Sequence, residues 1–166
     1  MQYLFSTTCL LLLFNVSLMA QNSVILRPGL ADGKAGEVYS NEPNSVFAND
    51  LLRASEWTYQ GDPGTHRGFL QFDLSSVPAG STIDSAFLSL YAPNPPNTQD
   101  HSGDNTSYLR RITSGWDQAT ITWNNQPLAT NIHQVTLPAS TEEYQDYTHI
   151  NVTALVRDMV SDPLNS

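Results

Sequence analysis

Cysteine is almost missing from this chain. The one thiol, Cys9, stands directly ahead of the apolar run "LLLLFNVSLMA", which ends at Ala20 and is followed by polar "QNS". That pattern reads as a secretory signal peptide over residues 1–20, cut after Ala20. The run is short for a bilayer span, and Asn15 and Ser17 interrupt it. The "STTC" stretch lacks the small-residue pattern of a lipoprotein site. Residues 21–166 therefore carry no thiol, which excludes disulfides, thiolate metal sites and a cysteine nucleophile. Stability must come from the core, and a domain of this size can bury one. Positive charge is also scarce. Seven basic residues face sixteen acidic ones, a formal net charge of −9. A phosphate backbone or an anionic membrane surface would be repelled, so nucleic acid and membrane are excluded as partners of the mature chain. The acidity suits the solubility of an exported, extracellular protein.

Signatures of catalysis are missing too. The chain has no Gly-x-Ser-x-Gly elbow, no His-Glu-x-x-His and no phosphate loop. His66, His101, His133 and His149 are scattered without ligand spacing. A glycosidase needs two carboxylates flanking one bond, but sixteen acids make such a pair easy to imagine and so uninformative. Asp73, at a strand end in "FDLSS", is better explained by a local bond to its own backbone.

What is present is alternation. Short apolar or period-two runs recur between clusters of Gly, Pro, Asn, Asp and Ser: "SVILRPG", "GEVYS", "NDLLRASEW", "HRGFLQFDL", "TIDSAFLSLYA", "YLRRIT", "TITW", "HQVTLP" and "YTHINV". In "HRGFLQFDL", Leu70, Phe72 and Leu74 share one face and Phe69, Gln71 and Asp73 the other. The pattern predicts that Leu70 and Phe72 are buried. "PNPPNTQDHSGDNTS" is a long polar loop. Many short strands between turn signals predict an all-β, antiparallel sandwich or barrel. One helix is expected near residues 153–160. There Val152, Leu155, Val156 and Met159 form an apolar stripe, Asn151 or Thr153 can cap the start, and Pro163 ends it.

"SGWDQATITWNNQP" sets Trp116 in loop-like surroundings and Trp123 at the end of a β-rich run. Ile121 and Trp123, two apart, are expected on one strand face and in the core. Asn124 and Asn125 suit a turn. Packing is the simpler expectation for both tryptophans.

Three blocks in order, "HRGFLQFDLSSVPAGSTIDSAFLSLY", "LRRITSGWDQATITWNNQP" and "INVTALVRDMV", resemble the DNRLRE-type domain of secreted bacterial proteins, which overlaps with alginate-binding carbohydrate-binding modules. The resemblance covers about residues 24–166. It implies a jelly-roll-like antiparallel β-sandwich with one short C-terminal helix and a carbohydrate-binding or adhesive role. It also implies a closing strand after the helix, so residues 21–166 are expected to be an incomplete domain of a longer chain with further domains. The letters DNRLRE themselves do not occur here.

For such a role the ingredients are aromatic rings that stack on sugar faces and polar groups that fix hydroxyls. "SEWTYQGDPGTHRG" offers Trp57, Tyr59, His66 and Arg67. For an acidic glycan such as alginate, guanidinium–carboxylate pairing adds weight to Arg67, Arg110 and Arg111. Arg110 and Arg111 should point to opposite faces of a strand, so only one can serve a given site. No cofactor is expected; the alternative is calcium, through "DHSGDN" and "DGKAGE", whose hard oxygens are expected in loops. The expected function is a secreted, non-catalytic module for a polysaccharide or cell-surface glycan. The alternatives are a polysaccharide lyase or hydrolase, and a structural spacer or protein-contacting adhesin.

Overall fold

The computed structural model describes residues 21–28, 33–47, 52–92, 104–142 and 144–162. Residues 1–20, expected from the sequence to be a signal peptide, lie outside them, as do Asp32 and residues 100–103 of the two proposed calcium loops.

Among the described residues seven strands and one α-helix follow in order: β1 Gly33–Tyr39, β2 Ser55–Tyr59, β3 Asp62–Phe72, β4 Phe87–Leu90, β5 Ser107–Ile112, β6 Ala129–Leu137, β7 Tyr147–Asn151 and α1 Thr153–Ser161. All pairings are antiparallel, in sheets of order β1-β3-β2, β4-β7 and β5-β6. The fold is all-β and sandwich-like, with one short C-terminal helix, as the alternation predicts. β2 and β3 form a hairpin whose two-residue turn places Gln60 at φ 52° and Gly61 at φ 96°. Positive φ at both turn residues matches the natural twist of paired strands.

The helix uses its expected stripe. Val152 and Leu155 are buried, and the Asn151 side chain accepts the Thr153 N–H at 3.0 Å. An open cleft of about 3790 Å³ has a lining that includes Leu70, Phe72, Leu88, Leu109, Leu155 and Met159.

Three local expectations fail. "SVILRPG" forms no strand over its described residues: 21–28 are irregular, and Ile25 is 85% exposed. "TITW" is not a strand either. The Asn125 carboxamide oxygen accepts the Thr122 N–H at 2.6 Å, and its amide donates to the Thr120 carbonyl at 2.9 Å. Asp117 accepts the Ala119 N–H at 2.8 Å. These side chains compete with a ladder and wind the segment into turns and a single 3₁₀ turn, Trp123–Asn125.

The third failure concerns β3, whose period is right but whose core face is the other one. Phe69 is buried with Val38 and Ile121, and Ile112, Trp116 and Trp123 pack around them. Leu70 and Phe72 are half-buried on the opposite face. Apolar residues on both faces left the period unable to say which one the tryptophan block covers. Gly36 contributes to the choice: a Cβ there would stand 3.1 Å from the Trp116 ring, so glycine lets the indole lie close against β1.

Candidate functional site

The register of the three-stranded sheet sorts the candidate residues. Pairs such as Tyr39↔His66, Glu37↔Gly68 and Trp57↔Gly64 share one face. That face carries Glu37, Tyr39, His66, Trp57 and Tyr59. Arg67, Phe69 and Val38 lie on the other. His66 and Arg67, adjacent in sequence, are therefore divided by the sheet.

On the first face, Trp57 and Tyr59 sit two apart on edge strand β2, 55% and 60% exposed. His66 is differently placed. Its ring stacks on Tyr39 with centroids 4.0 Å apart, and its Nδ1 lies 3.1 Å from Glu37 Oε1. Glu37 is fully buried and also accepts bonds from Arg53: the backbone N–H at 3.2 Å, Nε at 3.0 Å and Nη2 at 2.9 Å. His66 thus belongs to a buried ionic cluster rather than to an open ring platform. Composition and spacing could not show this, because Glu37 and Arg53 come from other segments. Gly64 supports the arrangement. A Cβ there would meet the Tyr39 hydroxyl at 2.6 Å, so only glycine lets the phenol lie across β3.

On the second face, the Arg67 guanidinium lies over the Trp123 ring, 4.6 Å from its centroid, and Nη1 donates to Gln126 Oε1 at 2.7 Å. Trp123 is half-buried: it packs against the core and also carries this cation. The tryptophan pair therefore does not divide cleanly into core and ligand roles. Trp116 packs 5.8 Å from Phe69, and the Lys34 ammonium, 4.5 Å from its ring centroid, donates to its carbonyl.

Arg110 and Arg111 do point apart. Arg110 is exposed, 5.4 Å from the Tyr108 centroid, with Nε donating to Gln134 Oε1 at 3.1 Å. Arg111 is turned inward, 3.8 Å from Asp158, which also meets His133 at 2.9 Å. Its Nε and Nη1 are buried and have no hydrogen-bond partner among the described residues.

"DGKAGE" does not make the expected oxygen-rich loop. Its residues 33–37 are strand β1, and the Glu37 carboxylate is fully occupied. Among the described residues no group of three or more His, Cys, Asp or Glu could hold a metal. Asp73 closes a local turn: it accepts the Ser75 N–H at 2.8 Å, and bonds from the Ser75 backbone and hydroxyl hold its carboxyl below the ordinary aspartate value. Asp104 is lowered in the same way, by the Thr106 hydroxyl and then its N–H.

The sheet thus presents two exposed rings on an edge strand, and two exposed arginines are laid over aromatic rings. Residues 38–164 match carbohydrate-binding module family 96. The chain belongs to that family. Members of a carbohydrate-binding module family are typically non-catalytic, so the family assigns this one a binding role. No curated protein and no solved structure matches the chain. Among the described residues of the module, no helix is long and apolar enough to cross a membrane.

Proposed function

We propose that this carbohydrate-binding module acts outside the cell on an acidic polysaccharide of the alginate type, holding the chain without cleaving it. One observation carries the reading: Arg67 and Arg110 each lie over an aromatic ring with, among the described residues, only a glutamine oxygen as polar partner. Most other cations are engaged elsewhere. Arg53 and Arg111 face carboxylates, Lys34 bonds a carbonyl, and Arg157 donates to the Ile83 and Asp84 carbonyls. Arg27 lies on the irregular segment 21–28.

A guanidinium has five N–H donors, so each of the two arginines keeps a free two-donor edge that suits a carboxylate. The ring beneath excludes water from one side and strengthens the pair. The net charge of −9 opposes a polyanion at long range. Physiological salt screens that repulsion within ~8 Å, leaving contact chemistry to decide. Trp57 and Tyr59, on the far side of the sheet from Arg67, offer a second contact by stacking on sugar faces.

The test is titration calorimetry with sodium alginate, polygalacturonate and a neutral mannan, on the parent and on Arg67→Ala and Arg110→Ala. A hydrogen bond to a charged group contributes about 1.5–3 kcal/mol, so each variant should lose roughly tenfold or more on the acidic glycans. Equal affinity for mannan and alginate, or variants that bind alginate like the parent, would defeat the reading. New reducing ends or unsaturated products would point to an enzyme. Silence across the panel would favour a spacer or adhesin.

A further inference from the structure

We infer that Gln126 and Gln134 are positioning residues that pre-set the two arginines for carboxylate capture; the inference rests on the acidic-glycan reading above. The same three-part unit occurs twice: an exposed arginine, an aromatic ring under it, and a glutamine oxygen on one of its donors. In the first unit the guanidinium of Arg67 lies over Trp123 and Nη1 is held by Gln126. In the second, Arg110 lies over Tyr108 and Nε is held by Gln134.

The geometry of Gln126 is fixed from the sequence upward. It follows the Trp123–Asn125 turn and precedes Pro127, with φ −54° and ψ 148°, the extended conformation that a following proline imposes. Its amide nitrogen donates to the Trp123 carbonyl at 2.8 Å. With nitrogen committed to a carbonyl, the oxygen must face the cation. Gln134 reaches Arg110 through an irregularity. Leu109 pairs with Val135 but Arg111 with Thr130, so residues 131–134 bulge opposite Arg110, and His133 takes φ 57° within that bulge. Bulges re-aim side chains in this way.

Each tether also leaves a usable edge. With Nη1 of Arg67 held, Nε and Nη2 remain as a side-on pair. With Nε of Arg110 held, Nη1 and Nη2 remain as an end-on pair. Glutamine is neutral, so it orients the cation without cancelling its charge, as Asp or Glu would. An arginine already immobilised loses less freedom when ligand arrives. That saving corresponds to about two- to tenfold in affinity per side chain.

The experiment is calorimetry with an alginate hexasaccharide on Gln126→Leu, Gln134→Leu, Gln126→Glu, Arg67→Ala, Arg110→Ala and the double variant Arg67→Ala/Gln126→Leu, with thermal melting of each. Gln126→Leu and Gln134→Leu should bind roughly two- to tenfold more weakly, with the Gln126→Glu loss larger because its carboxylate occupies Arg67. The double variant should be no weaker than Arg67→Ala alone, since the tether acts only through that arginine. Leucine variants that bind like the parent, while the alanine variants lose affinity, overturn the tether and leave the acidic-glycan reading standing. Additive losses in the double variant also overturn it, by showing that Gln126 acts on its own. If the arginine variants bind like the parent, both the reading and the tether fall. Gln134→Leu, remote from the 3₁₀ turn, keeps the test decisive if Gln126→Leu melts early.

Discussion

Replacing Glu37 with glutamine should destabilise this module without changing the shape of the side chain. The carboxylate is 0% exposed and accepts four contacts, three from Arg53 and one from the His66 ring. No orientation of an amide suits them. Nitrogen at the Oε2 position would face two Arg53 donors, and at the Oε1 position it would face Arg53 Nη2. Removing one partner of a buried ion pair costs about 3–5 kcal/mol. Arg53 is 36% exposed on its side chain and can recover some water, so the low end applies, about 3 kcal/mol. At ~2–4 °C per kcal/mol for a chain of this size, the midpoint should fall by roughly 6–12 °C. Far-ultraviolet circular dichroism would follow the melt, and urea titration should show a lower midpoint at an unchanged slope. Glu37→Met/Arg53→Met should recover much of the loss, because an apolar pair leaves no buried charge alone. A Glu37→Gln melt within about 2 °C of the parent would refute the reasoning: the ionic cluster would then contribute nothing net.

The two faces of β3 should separate on truncation. Phe69→Ala should cost ~3–5 kcal/mol as a core aromatic and Phe72→Ala distinctly less, and equal melting points would show that the core face is misassigned. Trp57→Ala should stay within ~0.5 kcal/mol of the parent in stability and weaken binding to alginate; an unchanged glycan affinity would remove Trp57 from the binding surface. Asp73 has a folded pKa lowered beneath 3.8, so its contribution is present above that value and is lost as pH falls through the lower folded value. A carboxyl titration by nuclear magnetic resonance that places Asp73 at or above 3.8 would contradict the bond to Ser75.

Period-two alternation was enough to locate β3, β5 and β7, and the 3.6-residue stripe was enough for α1, because each depends on residues close in the chain. The failures have a common physical origin. "TITW" has strand-forming residues, yet Asn125 and Asp117 bond the local backbone and win. Whether Phe69 or Phe72 meets the tryptophans depends on a partner segment fifty residues away, which no local window contains. The division of His66 from Arg67 was implicit in strand alternation, and so was that of Arg110 from Arg111. The engagement of His66 by Glu37 was not, since it needs the β1–β3 register. Gln126 and Gln134 carried no signal of their own, because a glutamine beside a future arginine contact looks like any other polar residue.

The scarcity of free cations has a kinetic side. Most of the positive charge is spent inward, on Glu37, Asp158 and main-chain carbonyls, so an approaching polyanion first meets the field of a protein carrying −9. Repulsion at a distance and attraction at contact respond to salt in opposite ways. For such a ligand, added salt should speed encounter while also shortening the lifetime of the complex. The equilibrium constant would then vary with ionic strength far less than either rate does. With an acidic glycan as its ligand, a module of this design would capture slowly in fresh water and exchange quickly in brine, so that its dwell time, more than its affinity, would follow the surrounding salinity.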